Sequence, residues 1–107
     1  MARHYSIELT PTGYQSLKDI KDKKTQREIG KTIDGLAASP ETQGKALVKP
    51  FEGVRSIRAA DSKYRILYRV GSGEKTVWVL LVGRRKPGEA SDVYSVARRL
   101  LKVLMGR

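Results

Sequence analysis

The sequence predicts an α+β fold, a small antiparallel-meander sheet with an N-terminal helical hairpin and a C-terminal helix in the order βααβββα. Two observations carry this. From Val54 to Lys86 three strand-like runs follow one another, separated only by Ala60-Asp61-Ser62 and Gly71-Ser72-Gly73-Glu74. Connections that short make neighbouring strands antiparallel, because a parallel return needs a much longer crossover. Outside this stretch, stripes of apolar residues three and four apart mark amphipathic helices.

Each element has its own local reason. His4–Leu9 alternates Tyr5, Ile7 and Leu9 with His4, Ser6 and Glu8, as a half-buried strand does. Thr10-Pro11 then supplies a helix cap and a proline at the first helical position. Tyr14, Leu17 and Ile20 form the apolar face of that first helix. Asp22-Lys23-Lys24 reads as a turn, and Thr25–Ala38 as a second helix with Ile29, Ile33, Leu36 and Ala37 on one stripe. Ser39-Pro40 stops it, since the residue before proline disfavours helix. Glu41–Lys49 has no period and reads as a loop leading into the turn Lys49-Pro50-Phe51-Glu52-Gly53.

The meander strands are expected over Val54–Ala59, Lys63–Val70 and Lys75–Gly83. In the middle one, Tyr64, Ile66, Tyr68 and Val70 make an apolar face, while Lys63, Arg65, Leu67 and Arg69 make a mixed, basic one open to a ligand. Val77–Val82 has no polar face and suits a central strand covered on both sides. After the break Pro87–Asp92, the residues Val93, Val96, Ala97, Leu100, Leu101 and Leu104 mark one last helix.

At 107 residues the chain is expected to form one domain. Its net charge of +11 implies a polyanionic partner: RNA, DNA or an acidic protein. The charge is concentrated, because Arg55, Arg58, Lys63, Arg65, Arg69, Lys75, Arg84, Arg85 and Lys86 face only Asp61 and Glu74 within the meander. With no cysteine and a single histidine, His4, thiolate and histidine-cluster metal sites are excluded, and neither metal nor cofactor is expected. Met1–Ser6 lacks an apolar signal core and the longest apolar run is too short to span a bilayer, so no membrane role and a cytoplasmic location are expected.

No Gly-x-Ser-x-Gly, phosphate-cradling glycine loop or thiol nucleophile is present. What remains is Arg, Lys and Tyr on a small sheet. Such a set can cleave RNA without a metal, because the 2′-hydroxyl is the nucleophile and the protein need only align it, neutralise charge at phosphorus and move protons. The bland reading of the same residues is a solvated basic face. Tyr64, Tyr68 and Trp78 are expected in the core, and His4 is expected to be a bystander.

Lys49-Pro50-Phe51-Glu52-Gly53, Tyr64-Arg65-Ile66-Leu67-Tyr68, Val82-Gly83-Arg84-Arg85 and Asp92-Val93-Tyr94 occur in an order and spacing that resemble the RelE/ParE superfamily of type II toxins, over nearly the whole chain. The resemblance to the RelE branch implies a ribosome-dependent mRNA endonuclease cutting in the A site, with Arg65, Arg85 and Tyr94 in the active site. It also places Arg58 where the best-known members have lysine, Ser56 where a second lysine would stand, and Lys49 at a basic position contacting RNA. Arg55, Lys63, Arg84 and Lys86 are the further candidate RNA contacts. Arginine is a poor base, so Tyr94 is the matched side chain whose proton could move. The implied partners are a cognate acidic antitoxin, the ribosome and mRNA, with DNA reached only through a toxin–antitoxin complex. Two alternatives stay open: a ParE-type inhibitor of DNA gyrase, and a non-catalytic RNA- or antitoxin-binding module.

Overall fold

The computed structural model describes residues 4–106. Its elements are β1 (Ser6–Leu9), α1 (Pro11–Lys18), α2 (Lys23–Gly35), β2 (Lys45–Ala46), β3 (Arg55–Ala59), β4 (Tyr64–Gly71), β5 (Thr76–Arg84), α3 (Val93–Arg99) and α4 (Leu101–Met105). The strands form one sheet in the order β1-β5-β4-β3-β2. β3, β4 and β5 are the expected antiparallel meander, and β1 joins the far side of β5 in parallel. The two-residue β2, inside the stretch read as a loop, pairs with β3.

The helical hairpin covers one face of the sheet. Thr10 caps α1 by accepting from the Gly13 N–H at 3.0 Å. Gly13 lies so close to β5 that a Cβ there would stand 2.2 Å from the Val79 carbonyl oxygen. The Ser16 hydroxyl accepts from the Val82 N–H at 2.9 Å. With Gly13 as the point of contact, Tyr14 turns outward and is 54% exposed, against the expectation of an apolar face shared with Leu17 and Ile20. Asp22 is no turn residue but the cap of α2, accepting from the Thr25 N–H at 3.2 Å. α2 also ends before Ala38, because β1 pulls the following residues into sheet-like pairing: Ala37 O accepts from Tyr5 N at 2.8 Å, and His4 bridges Ala38. Ile29, Ile33, Ala59, Ile66, Val79 and Val82 form the core on this side.

The opposite face is also covered. Phe51, Val54, Leu67, Leu80, Leu81, Val93, Ala97 and Leu104 pack there, under α3 and α4. Ile66, Leu67 and Tyr68 are therefore all fully buried. The mixed face of β4 is thus not open along its length. Leu67 is sealed under the C-terminal helices, which leaves Arg65 and Arg69 at opposite ends. The last helix is two: Leu100, at φ −103° and ψ 19°, separates α3 from α4. Beyond it Leu104 is buried and Val103 is 60% exposed.

One irregularity positions everything that follows. Leu67 pairs with Leu81 but Tyr68 with Val79, leaving Leu80 as an extra residue in β5. A bulge of this kind places two consecutive side chains on one face. Leu80 and Leu81 both join the core under α3, while Val79 and Val82 face the hairpin. The uninterrupted apolar run of β5 is explained by this as well as by its central position. Past the bulge the alternation is inverted, so Gly83 meets Val93 of α3, Arg84 lies over Tyr64, and Arg85 returns to the α3 side.

Met1, Ala2 and Arg3, the first half of the segment expected to lack a signal core, lie outside the described residues, as does Arg107. No helix among the described residues is long and apolar enough to cross a membrane.

Candidate functional site

Strand alternation puts Ser56 and Arg58 of β3 and Arg65 of β4 on the α3 side, and the bulge adds Arg85. Tyr94 comes from the first turn of α3, and Lys49 from the turn before β3. All six border one open cleft of about 710 Å³. Lys49, Arg58, Arg65, Arg85 and Tyr94, the positions singled out by the family resemblance, thus share one lining. Lys45 and Arg98, which the sequence did not single out, add two more cations to the rim. None of the lining side chains among the described residues is acidic.

Asp92 organises this end of the cleft from below. It is only 3% exposed. One carboxylate oxygen accepts from Arg85 Nη1 at 2.7 Å and from the Lys86 N–H at 2.6 Å, and the other accepts from the Tyr94 N–H at 3.0 Å. Asp92 is thus the cap of α3 and the anchor of Arg85 at once. Burial opposes its ionisation, but the Arg85 guanidinium and the two N–H donors outweigh that and hold the carboxyl below the usual aspartate range. The Arg85 guanidinium also lies over the Tyr94 ring, 4.9 Å from its centroid, within cation–π range. Its backbone N–H is fixed by Lys63 O at 2.8 Å.

Across the cleft, the Tyr94 hydroxyl is 2.7 Å from the hydroxyl of Ser56, a residue only 4% exposed. Arg65 is steadied by the β3–β4 turn, its Nη1 donating to Ser62 O at 2.7 Å and Tyr64 O at 3.1 Å. Arg58 is exposed. Arginines held along one edge and open along the other suit bidentate capture of a phosphate.

Four of the expected RNA contacts fall outside the lining. Arg55 projects from the opposite face of β3, where its Nε donates to Gln43 O at 3.0 Å and fastens the preceding loop. Arg84 is turned away by the bulge onto Tyr64, 5.7 Å from the ring centroid. Lys86 pairs with Glu89 at 3.8 Å. Lys63 is exposed at the turn and takes part through its backbone. Tyr68 is core, as expected, its one hydroxyl proton shared between Pro40 O at 3.0 Å and Gln43 O at 2.8 Å. Burial pushes its phenol above the ordinary value, against the pull of Arg55. Trp78 is only half-buried, beside Arg69 and α4.

Asp92 and Ser56 escaped assignment for different reasons. Asp92 carries a legible signal, an aspartate just before a helical apolar stripe, but the cap alone does not announce the contact with Arg85. Ser56 acquires its contact only through tertiary pairing. Among the described residues no cluster of histidine and carboxylate side chains could hold a metal ion. What the cleft offers is anion binding, charge neutralisation and two coupled hydroxyls.

Comparison with protein families matches residues 7–87 to the model described as ParE toxin of type II toxin-antitoxin system, parDE. Among solved structures, the toxin–antitoxin complex RelBE2 from Mycobacterium tuberculosis aligns at a TM-score of 0.70 and 27% identity, over 78% of this chain and 93% of that one. An E. coli RelE variant in the free state, with two arginines replaced by alanine, aligns at 0.69 and 24%, over 95% and 100%. A chromosomal ParDE system from P. aeruginosa aligns at 0.62 and 18%, over 76% and 96%. Comparison with curated protein sequences returned no match.

Proposed function

The chain belongs to the ParE toxin family of type II toxin–antitoxin systems, within the RelE/ParE superfamily, and we propose that it is the branch that cleaves mRNA on the ribosome. The observation that carries this reading is the convergence of Arg58, Arg65, Arg85 and Tyr94 on one cleft with no acidic side chain in its lining. A surface that only bound a protein would need no such focus of guanidinium groups around a phenol.

The chemistry follows from the groups present. The RNA 2′-oxygen attacks the adjacent phosphorus, forming a cyclic phosphate as the bond to the 5′-oxygen breaks. Arg65 and Arg85 grip the non-bridging oxygens, and Arg58 neutralises the charge that grows on them in the transition state. Lys49, Lys45 and Arg98 hold the flanking backbone. With arginine at the strand position of Arg58, no lining group is a strong base, so the 2′ proton passes to water or to a phosphate oxygen. The rate then rests mainly on alignment and electrostatics. Tyr94 is the side chain placed to exchange a proton with RNA.

A cognate acidic antitoxin is the natural inhibitor of such a cleft, since opposite fields speed the encounter and cover the site. The similar structure from Mycobacterium tuberculosis is a toxin–antitoxin complex. The reading is tested by toxicity on induction: Arg65→Ala and Arg85→Ala abolish it at equal expression and with an intact circular dichroism spectrum, whereas Arg69→Ala, at the far end of β4, leaves it. Full toxicity in the first two removes the RNA-cleaving assignment.

A second reading is favoured by the description of the matching family and by the P. aeruginosa ParDE alignment. It makes the protein an inhibitor of DNA gyrase. Loss of gyrase supercoiling with purified protein, and no cut mRNA, would select it.

A further inference from the structure

Ser56 is a buried polar residue of β3, between Arg55 and Ile57, with Leu67 as its cross-strand partner and Lys45 on the other side. Its hydroxyl has one recorded side-chain partner, the Tyr94 hydroxyl at 2.7 Å. Each hydroxyl carries one proton and two lone pairs, so one proton lies between the oxygens and the other must point elsewhere. Both residues border the cleft, but Ser56 is only 4% exposed, so if Tyr94 donated to it the Ser56 proton would be left on a nearly buried hydroxyl with no protein acceptor, at a cost in desolvation. If Ser56 donates to Tyr94, the remaining proton belongs to the half-buried phenol, the more accessible of the two hydroxyls that border the cleft.

Resting on the proposed RNA-cleaving reading, we infer that Ser56 is a positioning residue that donates to the Tyr94 oxygen and so presents the Tyr94 O–H to the cleft, as the proton donor to the departing 5′-oxygen. The Arg85 guanidinium over the ring and the Asp92 bond to the Tyr94 N–H fix the ring plane and the backbone. Ser56 fixes the remaining freedom, the rotation of the phenolic proton. As the bond from phosphorus to the 5′-oxygen breaks, its electron pair takes the Tyr94 proton. The phenolate left behind keeps the Ser56 hydrogen bond and lies beside Arg85, and it is reprotonated by water.

Two measurements on the full chain test this. With serine labelled at Cβ and solvent of equal parts light and heavy water, a shielded hydroxyl that exchanges slowly gives a split Ser56 Cβ signal. The wild-type protein is expected to show the splitting and Tyr94→Phe, which leaves the serine proton without its acceptor, to collapse it; a single averaged line in the wild type overturns the inference. In single-turnover cleavage on programmed ribosomes, Ser56→Ala is expected to lower the rate constant about 10- to 100-fold, the range set by lost alignment. The half-saturating protein concentration should stay unchanged, Ser56→Thr should restore the rate, and Ser56→Ala should add nothing to Tyr94→Phe. A wild-type rate in Ser56→Ala, or additive losses in the double variant, overturns the inference. A split signal in a wild-type protein that cuts no RNA fails the cleavage reading alone and leaves the hydrogen-bond assignment standing.

Discussion

Arg58 and Arg65 are direct partners across the β3–β4 ladder, both on the face that borders the cleft. Like charges at opposed positions destabilise a sheet, by roughly 0.2–1 kcal/mol. No carboxylate lies between them in the lining. An anion entering there would relieve the repulsion, which is what a phosphate-binding site requires.

The pair therefore predicts opposite effects on stability and activity. Arg58→Thr, with a good strand former in place of one charge, should leave urea stability unchanged or raise it by up to about 1 kcal/mol. Cleavage should fall by at least about 10²-fold, as when one transition-state charge contact is removed. Inorganic phosphate should raise the melting temperature of the wild type more than that of the variant.

Asp92 predicts losses in both stability and activity. Asp92→Ala removes the α3 cap and leaves Arg85 without its anchor, and should cost about 1–2 kcal/mol in urea unfolding. Asp92→Asn keeps an acceptor for the Tyr94 N–H and should cost less stability, yet still lose activity through a loosened Arg85. The carboxyl sits below its ordinary value, mainly through Arg85 and the two N–H donors working against burial. Its stabilisation is thus present above the unfolded aspartate pKa of about 3.9 and is lost as pH falls through the lower folded value. Acidification from neutral pH should therefore narrow the stability gap between wild type and Asp92→Asn.

Gly83 marks how closely the helix must approach the sheet for Tyr94 to reach Ser56. A Cβ on Gly83 would stand 3.0 Å from Val93 Cβ and Cγ2. Gly83→Ala should push the start of α3 outward by a few tenths of an ångström and lengthen the Ser56–Tyr94 contact. Cleavage should drop more than stability, read as single-turnover rate against melting temperature. In contrast, Gly13→Ala meets the Val79 carbonyl and should destabilise the whole fold by about 1–3 kcal/mol.

The meander and the strand order within it were legible because alternation and short turns are local signals, whereas Lys49, Arg58, Arg65, Arg85 and Tyr94 were singled out only through the resemblance to a known family, since no local pattern brings them together. The residues that were misplaced depend on events that no local pattern records. The extra Leu80 sits inside an all-apolar run, where a bulge leaves no break in hydropathy, and it alone decides that Arg84 turns onto Tyr64 while Arg85 enters the cleft. Arg55 reads as one more surface cation until the loop it fastens is in place. Tyr14 looked buried by its spacing, but a helix that docks through Gly13 turns a different stripe toward the sheet. Leu100 and its neighbours form one continuous apolar stripe in sequence, and the break between α3 and α4 lies within it.

The central claim, that this cleft cuts mRNA held on a ribosome, is tested most directly by mapping new 5′ ends on a defined message in stalled ribosomes. Wild-type protein should produce ends confined to the A-site codon, in the presence of chelator, with Arg65→Ala and Arg85→Ala producing none and Arg69→Ala matching the wild type. Intact message with the wild-type protein, or A-site ends made equally well by Arg65→Ala and Arg85→Ala, would contradict it.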